Sequence, residues 1–593
     1  MTPPTATPAT GKPMGANPRK RPHNNGRPFK KRKIQQQKKV SEGAHEEVLL
    51  ADIRQLLAAQ KLDDSPAAAA TPTPTPAAED QPATDAPAES SAPAPPQKTL
   101  PQPFTEIDLT VKEISSTGDG LAFAADSDHV YVVPFTAPGD TVTAKVIKHF
   151  PRESYTLTDF VRVITPSPQR DDSRIGCKYF ATCSGCQFQM LSYEDQLAHK
   201  KTIVEKAYRN FSGLRPDLIP TIGETMGSPL QYGYRTKLTP HFDGPPENRS
   251  KEARRNPEKR KGFDSIPPIG FMRKGTRFTI DIEDCPIGTD AVRMGMKSER
   301  VRVSHELDKY KRGATLLLRE STERVPKPSN EASTTDDLPS TTEALPDAAG
   351  TTKEAIIKQF PSFTERKTCI TDNNATSTEY VGDFLFNNPA GAFFQNNNSI
   401  LPSFTQYIRD QITSPSSSSV PKPKYFIDAY CGSGLFTIVL SSLFESSLGI
   451  DISTSSIECA RENAKANNIP NATFMASDAP ALFAKVTFPP DETVVVIDPP
   501  RKGCDESFLK QLVQLGPARV VYVSCNVHTQ ARDVGYLVGG VNPWAEARGE
   551  TQTETETEKE TQEGMYEMES LRGFDFFPQT GHVEGVAVLR RRK

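Results

Sequence analysis

The stretch YFIDAYCGSGLF (residues 425–436) decides the fold, because a strand, a glycine turn and the start of a helix follow one another within it. Apolar residues fill the strand, and the glycines let a ligand approach the backbone. Downstream, SLGIDIS (447–453) is a strand ending in Asp451, IECARENAKANNI (457–469) is a helix, and ATFMASDA (472–479) is a third strand. This alternation predicts an α/β fold with a doubly wound parallel sheet.

Two further apolar runs end in polar residues. VVVIDPPRKG (494–503) carries Asp498 and Arg501 at its exit, and VVYVSCN (520–526) ends with Cys525. Ligands of such sheets bind at the carboxyl ends of the strands. A free cysteine is usually a buried packing residue. Cys525 differs because it ends a strand beside a basic exit, so we expect partial exposure, a lowered pKa and the role of nucleophile.

The glycine turn and Asp451 predict the kind of cofactor. A carboxylate after the second strand accepts hydrogen bonds from ribose hydroxyls. CGSG lacks the G-x-G-x-x-G spacing of dinucleotide sites, so an adenosyl cofactor such as S-adenosylmethionine is favoured over a nicotinamide oxidoreductase. We expect Asp478 near the adenine and Asp498 near the reacting face.

The charge of the chain is unevenly distributed. The 593 residues have a formal charge of −3, yet residues 1–40 hold eleven Lys and Arg and no acid, while TETETEKETQE (553–563) is acidic. The basic arm predicts a nuclear-localisation signal, an RNA-binding arm or a solvated tail. No apolar run approaches transmembrane length. We expect a nuclear or cytoplasmic protein, with the mitochondrion as an alternative.

The region before the sheet divides into three parts by composition. Residues 1–102 are a basic arm, a short helix at 45–62 and a Pro/Ala linker. Five alternating runs over 103–170 predict a small β-barrel. Residues 171–395 are expected to form a central α+β domain with disordered insertions, one of them over 320–355. The segment 396–593 is the α/β domain.

Four cysteines of the central region form a separate group. Cys177, Cys183 and Cys186 follow a C-x5-C-x2-C spacing, and Cys285 lies downstream. Clustered cysteines in a reducing compartment favour a metal over disulfides, so zinc, an iron–sulfur cluster and an empty site all remain open.

Taken together, these motifs resemble the RNA 5-methyluridine (uracil-C5) methyltransferase family, in detail its eukaryotic, fungal tRNA (uracil-5-)-methyltransferases. The resemblance rests on five ordered motifs over residues 105–590: FFQNN, DAYCGSGLFT, DPPRKG, YVSCN and GHVEGVAVL. It implies a class I methyltransferase sheet and a TRAM or OB-like RNA-binding barrel.

The resemblance also implies roles for individual residues. Cys525 matches the nucleophile of the family and Glu584 its general base. The positions that match cofactor-binding residues are Gln395, Tyr430, Asp451 and Asp498. The cysteine group resembles the iron–sulfur site of bacterial ribosomal RNA members.

The function implied is methylation of a uridine at C5, at position 54 of tRNA by analogy, through a covalent adduct between Cys525 and C6. The partners expected are S-adenosylmethionine and tRNA, with no membrane and a monomeric chain. Two alternatives remain: a ribosomal RNA uracil-5-methyltransferase, and a non-catalytic RNA-binding or tRNA-chaperone protein. Cys525 and Glu584 argue against the latter, since binding alone needs neither.

Overall fold

The computed structural model describes most of the chain. It covers residues 43–63, 100–125, 127–328, 340–346, 352–414, 422–477, 482–483, 485–540, 542–544 and 563–593. The basic arm, most of the linker, most of the acidic tract and Asp478 lie outside these residues. Everything described belongs to one compact unit, residues 41–593. Within it, no helix has both the length and the apolar character needed to cross a membrane.

The first described part is a helix and a closed barrel. Its elements are α1 (His45–Asp63), β1 (Glu106–Ile114), β2 (Gly120–Phe123), β3 (Val130–Val133), β4 (Thr141–Phe150) and β5 (Tyr155–Thr165). The strand order is β1-β2-β3-β5-β4. Apolar residues of the alternating strands fill the interior, and Leu49 and Ile53 of α1 pack against Phe123 and Val132. The predicted small barrel is confirmed, and α1 occupies the span predicted for a helix.

The central region mixes small sheets with helices. Its elements are α2 (Tyr193–Phe211), β6 (Gly223–Met226), β7 (Lys237–Leu238), β8 (His241–Asp243), α3 (Lys251–Arg255), β9 (Gly270–Met272), β10 (Thr279–Asp281), α4 (Asp290–His305), β11 (Gly313–Thr315), β12 (Leu318–Pro326), β13 (Thr341–Pro346), β14 (Thr352–Gln359), β15 (Phe363–Ile370), β16 (Thr376–Val381) and β17 (Phe384–Pro389). They form sheets of the orders β10-β9-β8-β11 and β13-β14-β15-β12-β7, and the hairpin β16-β17.

The expected disordered insertion over residues 320–355 is wrong where the structure describes it. β12 continues to Pro326, and β13 and β14 form a hairpin that pairs with β15. The β-branched residues Ile356 and Ile357 favour a strand, and β15 offers β14 backbone partners. The polar composition that suggested disorder belongs to β13 at the edge of this sheet and to β14 and β12 inside it.

The last part of the chain forms the large sheet. Its elements are α5 (Leu401–Thr413), β18 (Tyr425–Ala429), α6 (Leu435–Val439), β19 (Ser446–Asp451), α7 (Thr454–Ala466), β20 (Ala472–Ala476), β21 (Thr493–Ile497), α8 (Glu506–Leu515), β22 (Arg519–Ser524), α9 (Val527–Gly539), β23 (Tyr566–Phe574) and β24 (Glu584–Arg591). The order is β20-β19-β18-β21-β22-β24-β23-β6. The strands from β18 to β22 are parallel, and β24 is antiparallel to both of its neighbours. Apolar cores cover both faces, so the predicted doubly wound sheet is confirmed.

Two elements of the central region belong to this layer. β6 extends the sheet beside β23. Ile203, Val204 and Ala207 of α2 pack in the same core as Val534 and Leu537 of α9. The sheet therefore draws on residues before the boundary expected at 395, and the boundaries themselves stay predictions.

Candidate active site

The candidate active site lies where β21 and β22 end. Both strands are buried runs of β-branched residues, because helices cover both faces of the sheet. The next residues, Asp498 and Cys525, leave the sheet and are half-buried. Since the two strands are parallel neighbours, these side chains lie at the same edge.

The antiparallel strand β24 brings Glu584 to this edge. Ser524 of β22 pairs with Gly585 of β24. Glu584, which is 4% exposed, and Cys525 each lie one residue beyond this last pair. The charge of Glu584 raises the pKa of the Cys525 thiol, as expected for neighbouring side chains. Two residues far apart in sequence thus become neighbours.

The charges around Cys525 contradict the lowered pKa expected from sequence. Burial, followed by the negative charges of Glu584 and Asp498, raises the pKa of this thiol to about 12, while Arg501 acts in the opposite direction. With such a pKa, the protonated thiol is favoured at neutral pH. The sequence argument identified the basic neighbour but not the two carboxyl groups that outweigh it.

The pKa values of the two carboxyl groups are themselves raised, chiefly by burial. Burial and the charge of Asp498 raise the pKa of Glu584 to about 8, and Arg501 lowers it. Burial and the charge of Asp428 raise the pKa of Asp498 to about 7. Since Asp498 raises the pKa of Glu584, and both carboxylates raise that of Cys525, a positive charge placed among them would favour the ionised forms.

The segment that carries Cys525 is held on both sides. The Ser524 hydroxyl accepts a hydrogen bond from the Asn526 amide at 3.1 Å. Asn526 caps α9 by accepting from the His528 amide at 3.2 Å, and its Nδ2 donates to the Arg501 carbonyl at 2.9 Å. Sequence reasoning missed this role, although Asn before a helix is an ordinary capping signal.

The glycine turn after β18 joins the second strand. Gly432 and Gly434 have φ values of 54° and 92°, which favour glycine. The Gly432 amide donates to Asp451 Oδ2 at 3.0 Å, and the Ser453 amide donates to Oδ1 at 2.8 Å. A Cβ at Gly432 would meet no atom within 4 Å, so the turn faces open space. A nucleoside can approach the backbone here.

The remaining residues predicted to bind the cofactor lie around this turn or before it. Tyr430 directly follows β18, and its ring lies 5.1 Å from that of Phe508. Gln395 lies half-buried in the loop between β17 and α5, beside the buried Phe394. Among the described residues, no hydrogen bond joins Gln395 to Tyr430 or Asp451.

Asp428 is a supporting residue that sequence reasoning missed. It is fully buried in β18, and its Oδ2 accepts from the amide and the hydroxyl of Thr437 in α6, at 2.8 and 2.6 Å. Burial raises its pKa to about 7. These bonds fix α6 behind the glycine turn. An acid inside an apolar strand was the available signal.

The four cysteines of the central region are brought together, but not as a metal centre. Cys177, Cys183, Cys186 and Cys285 line one cavity of about 240 Å³. Burial raises the pKa of all four thiols, that of Cys186 and Cys285 to about 12. In the described parts of the chain, no three His, Cys, Asp or Glu side chains are arranged to hold a metal ion. The geometry does not support an iron–sulfur cluster.

Known proteins similar to this chain agree with one another. A family model described as a methyltransferase domain matches residues 422–506. The tRNA (uracil(54)-C(5))-methyltransferase of Schizosaccharomyces pombe is 43% identical over 491 residues, which cover 82% of this chain and 79% of the relative. The protein of the same name from Saccharomyces cerevisiae is 40% identical over 503 residues, covering 81% and 73%.

A solved structure supports the fold. The crystal structure of Pyrococcus abyssi tRNA (uracil-54, C5)-methyltransferase in complex with S-adenosyl-L-homocysteine covers 82% of this chain and 100% of that chain, with a TM-score of 0.51. At 21% sequence identity the likeness concerns the fold alone.

Proposed function

This chain belongs to the tRNA (uracil(54)-C(5))-methyltransferase family, and from that premise we propose that it methylates C5 of uridine 54 in tRNA through a covalent adduct on Cys525. S-adenosylmethionine is the methyl donor of its methyltransferase domain. The observation that carries the proposal is the pairing of Ser524 with Gly585, which brings the adjacent Cys525 and Glu584 to the same strand end. A thiol paired with a buried carboxyl group suits nucleophilic catalysis followed by proton removal.

The first step makes C5 of the uracil ring nucleophilic. C5 of uracil is poorly nucleophilic because two carbonyls withdraw the electrons of the ring. The Cys525 thiolate adds to C6, the C5–C6 π electrons move toward O4, and the enolate formed makes C5 nucleophilic. Arg501 favours the thiolate, since its charge lowers the pKa of Cys525. The uridine must leave its stack to expose C6.

The second step uses the carboxyl group. C5 bonds to the methyl carbon as the bond from that carbon to the donor sulfur breaks, leaving a neutral thioether. Glu584, in its ionised form, takes the proton from C5. The electrons of that C–H bond form the new C5–C6 double bond, and the bond between C6 and Cys525 breaks. The thiolate is regenerated, and the proton remains on Glu584.

We place the donor at the glycine turn. The open space at Gly432 admits the nucleoside, and Asp451 is positioned to accept from ribose hydroxyls. Asp498 lies between this turn and Cys525, because the Asp498 amide donates to the Ala429 carbonyl at 3.3 Å. Gln395 and Tyr430 complete the proposed cofactor site. The sulfonium supplies an electrophilic methyl carbon.

The test is methylation of a tRNA transcript. We expect 5-methyluridine at position 54 with the unsubstituted protein, none with Cys525→Ala, and none when the transcript carries cytidine at position 54. Cys369→Ala, at a half-buried thiol of β15, is the matched control and should stay active. Methylation of a ribosomal RNA fragment but not of tRNA would favour a ribosomal RNA uracil-5-methyltransferase. RNA binding without any methylation would favour a non-catalytic RNA-binding or tRNA-chaperone protein.

The iron–sulfur cluster and the monomeric state stay predictions, and the steps above use neither. Iron and sulfide analysis of protein purified without oxygen tests for the cluster. Four irons per chain would support the cluster in spite of the geometry, and iron-free protein would exclude it from the preparation. Light scattering tests whether the chain is monomeric.

A further inference from the structure

The start of α1 lies against the segment that carries Cys525. The Gly43 carbonyl accepts a hydrogen bond from Asn526 Nδ2 at 3.1 Å. The Gly43 amide donates to Glu47 Oε2 at 2.5 Å, which closes the first turn of the helix. A helix from the far N-terminal part of the chain thus contacts the residue that follows the nucleophile.

The contact at Gly43 leaves no room for a side chain. Gly43 has a φ of 65°, in the left-handed region. A Cβ there would overlap Thr529 Cγ2 and lie 3.0 Å from Asn526 Nδ2. The first turn of α1 is therefore seated closely on the start of α9.

The body of α1 is fixed to the barrel. Leu49 and Ile53 are 3% and 0% exposed in a cluster shared with barrel strands. Asp52 is buried, and its carboxylate accepts a hydrogen bond from the Ser116 amide. A buried carboxyl group needs such a partner, so this bond sets the position of the helix along the barrel. One helix thereby connects the barrel to the catalytic segment.

We propose that α1 is a brace that positions the nucleophile, with Gly43 as a positioning residue acting through Asn526. This rests on the proposed role of Cys525. The two N–H bonds of the Asn526 carboxamide are both used, one toward Gly43 and one toward Arg501. Without the Gly43 carbonyl, the Asn526 Nδ2 keeps only the Arg501 carbonyl as an acceptor, and the side chain is held less firmly in its capping position. The Cys525 thiol then spends less time in line with C6 and with Glu584.

A rescue experiment in the full-length chain tests the brace. Gly43→Ala should lower kcat about tenfold, because the added Cβ displaces the first turn, while KM for tRNA changes little. Thr529→Ser removes Cγ2 but keeps the hydroxyl that donates to the Arg501 and Asn526 carbonyls, at 3.1 and 3.0 Å. Alone it should leave kcat near the unsubstituted value. The double variant should regain part of the lost kcat, because the overlap with Cγ2 is gone while the left-handed backbone and the 3.0 Å contact with Asn526 Nδ2 remain.

A second readout separates this proposal from the proposed function. The alkylation rate of Cys525 by iodoacetamide should rise in Gly43→Ala, since a looser Asn526 exposes the thiol, and should return in the double variant. This pattern supports the brace even if no tRNA is methylated, an outcome that would overturn the proposed function alone. An unchanged alkylation rate in Gly43→Ala, or a kcat loss that Thr529→Ser fails to restore while the thermal midpoint falls, would overturn the brace.

Discussion

Cys525, Glu584 and Asp498 lie at one strand end, where the charged form of each is disfavoured. Burial raises the pKa of all three; Asp498 further raises that of Glu584, and both carboxylates further raise that of Cys525. Such groups titrate as a set and not as independent acids. Arg501 is a positive group that opposes this effect at Cys525 and Glu584. Catalysis therefore depends on how positive charge is supplied at this strand end.

Removing one carboxylate should release the thiol. In Glu584→Gln, the pKa of Cys525 should fall from about 12, because the second-largest cause of its elevation is gone. Alkylation by iodoacetamide, followed by mass spectrometry between pH 7 and 10, should then begin at a lower pH. Glu224→Gln, at an exposed carboxylate paired with Lys201, is the control and should leave the profile unchanged. An identical profile in Glu584→Gln would show that the two groups do not interact.

The turn between β18 and α6 depends on a single buried acid. Asp428 receives two bonds from Thr437, while its Oδ1 has no hydrogen-bond partner among the described residues. The acid is thus only partly satisfied within the apolar sheet. The same turn presents the Gly432 amide to Asp451. The stability of the sheet and the proposed cofactor site are therefore linked at this element.

Thr437→Val should lower both the stability of the protein and its affinity for S-adenosylmethionine. Valine keeps the shape but removes the hydroxyl, so Asp428 loses a donor at a cost of about 1–3 kcal/mol. We expect a lower thermal midpoint and a several-fold higher Kd for S-adenosylmethionine by calorimetry. Thr405→Val is the matched control, since that buried hydroxyl donates only to carbonyls of its own helix. Equal effects of the two substitutions on the Kd would contradict the role given to Asp428.

The fold as a whole is joined by buried polar contacts between distant segments. Lys200 of α2 and Asp575 form a fully buried ion pair. The Lys200 ammonium also donates to the Phe577 carbonyl at 3.0 Å, and Tyr193 donates to Asp575 at 3.0 Å. These bonds anchor the loop that leads into β24 and Glu584. A break here would affect the position of the proposed base, Glu584, as well as stability.

Lys200→Met should destabilise the protein strongly. It leaves Asp575 buried without its ion-pair partner, at a cost of about 3–5 kcal/mol. Lys206→Met on the same helix is the control, because its partner Glu113 is 35% exposed and can be hydrated. Thermal unfolding should show a clearly larger drop in midpoint for Lys200→Met. Similar drops in the thermal midpoint of both variants would mean that the buried ion pair contributes no more to stability than the partly exposed one.

Local patterns predicted much of this molecule, and non-local contacts account for the rest. The barrel and the doubly wound sheet could be predicted from strand runs and glycine turns, since the periodicity of apolar residues is a local property of the sequence. Glu584 was found only through a family motif, because its approach to Cys525 depends on the insertion of β24 beside β22. The contact of Gly43 with Asn526 leaves no signal in either segment. The burial of Lys200 could not be predicted either, because its partner Asp575 is 375 residues away in the sequence.

Trapping the covalent adduct tests the central claim most directly. Glu584→Gln, incubated with S-adenosylmethionine and tRNA transcript, should accumulate a denaturant-stable protein–RNA complex, because elimination requires removal of the C5 proton. Tryptic mapping should locate the RNA on Cys525, with the methyl group already on the uridine, and Cys525→Ala/Glu584→Gln should form none. Full methylation by Glu584→Gln with no adduct, or an adduct on another residue, would contradict the account.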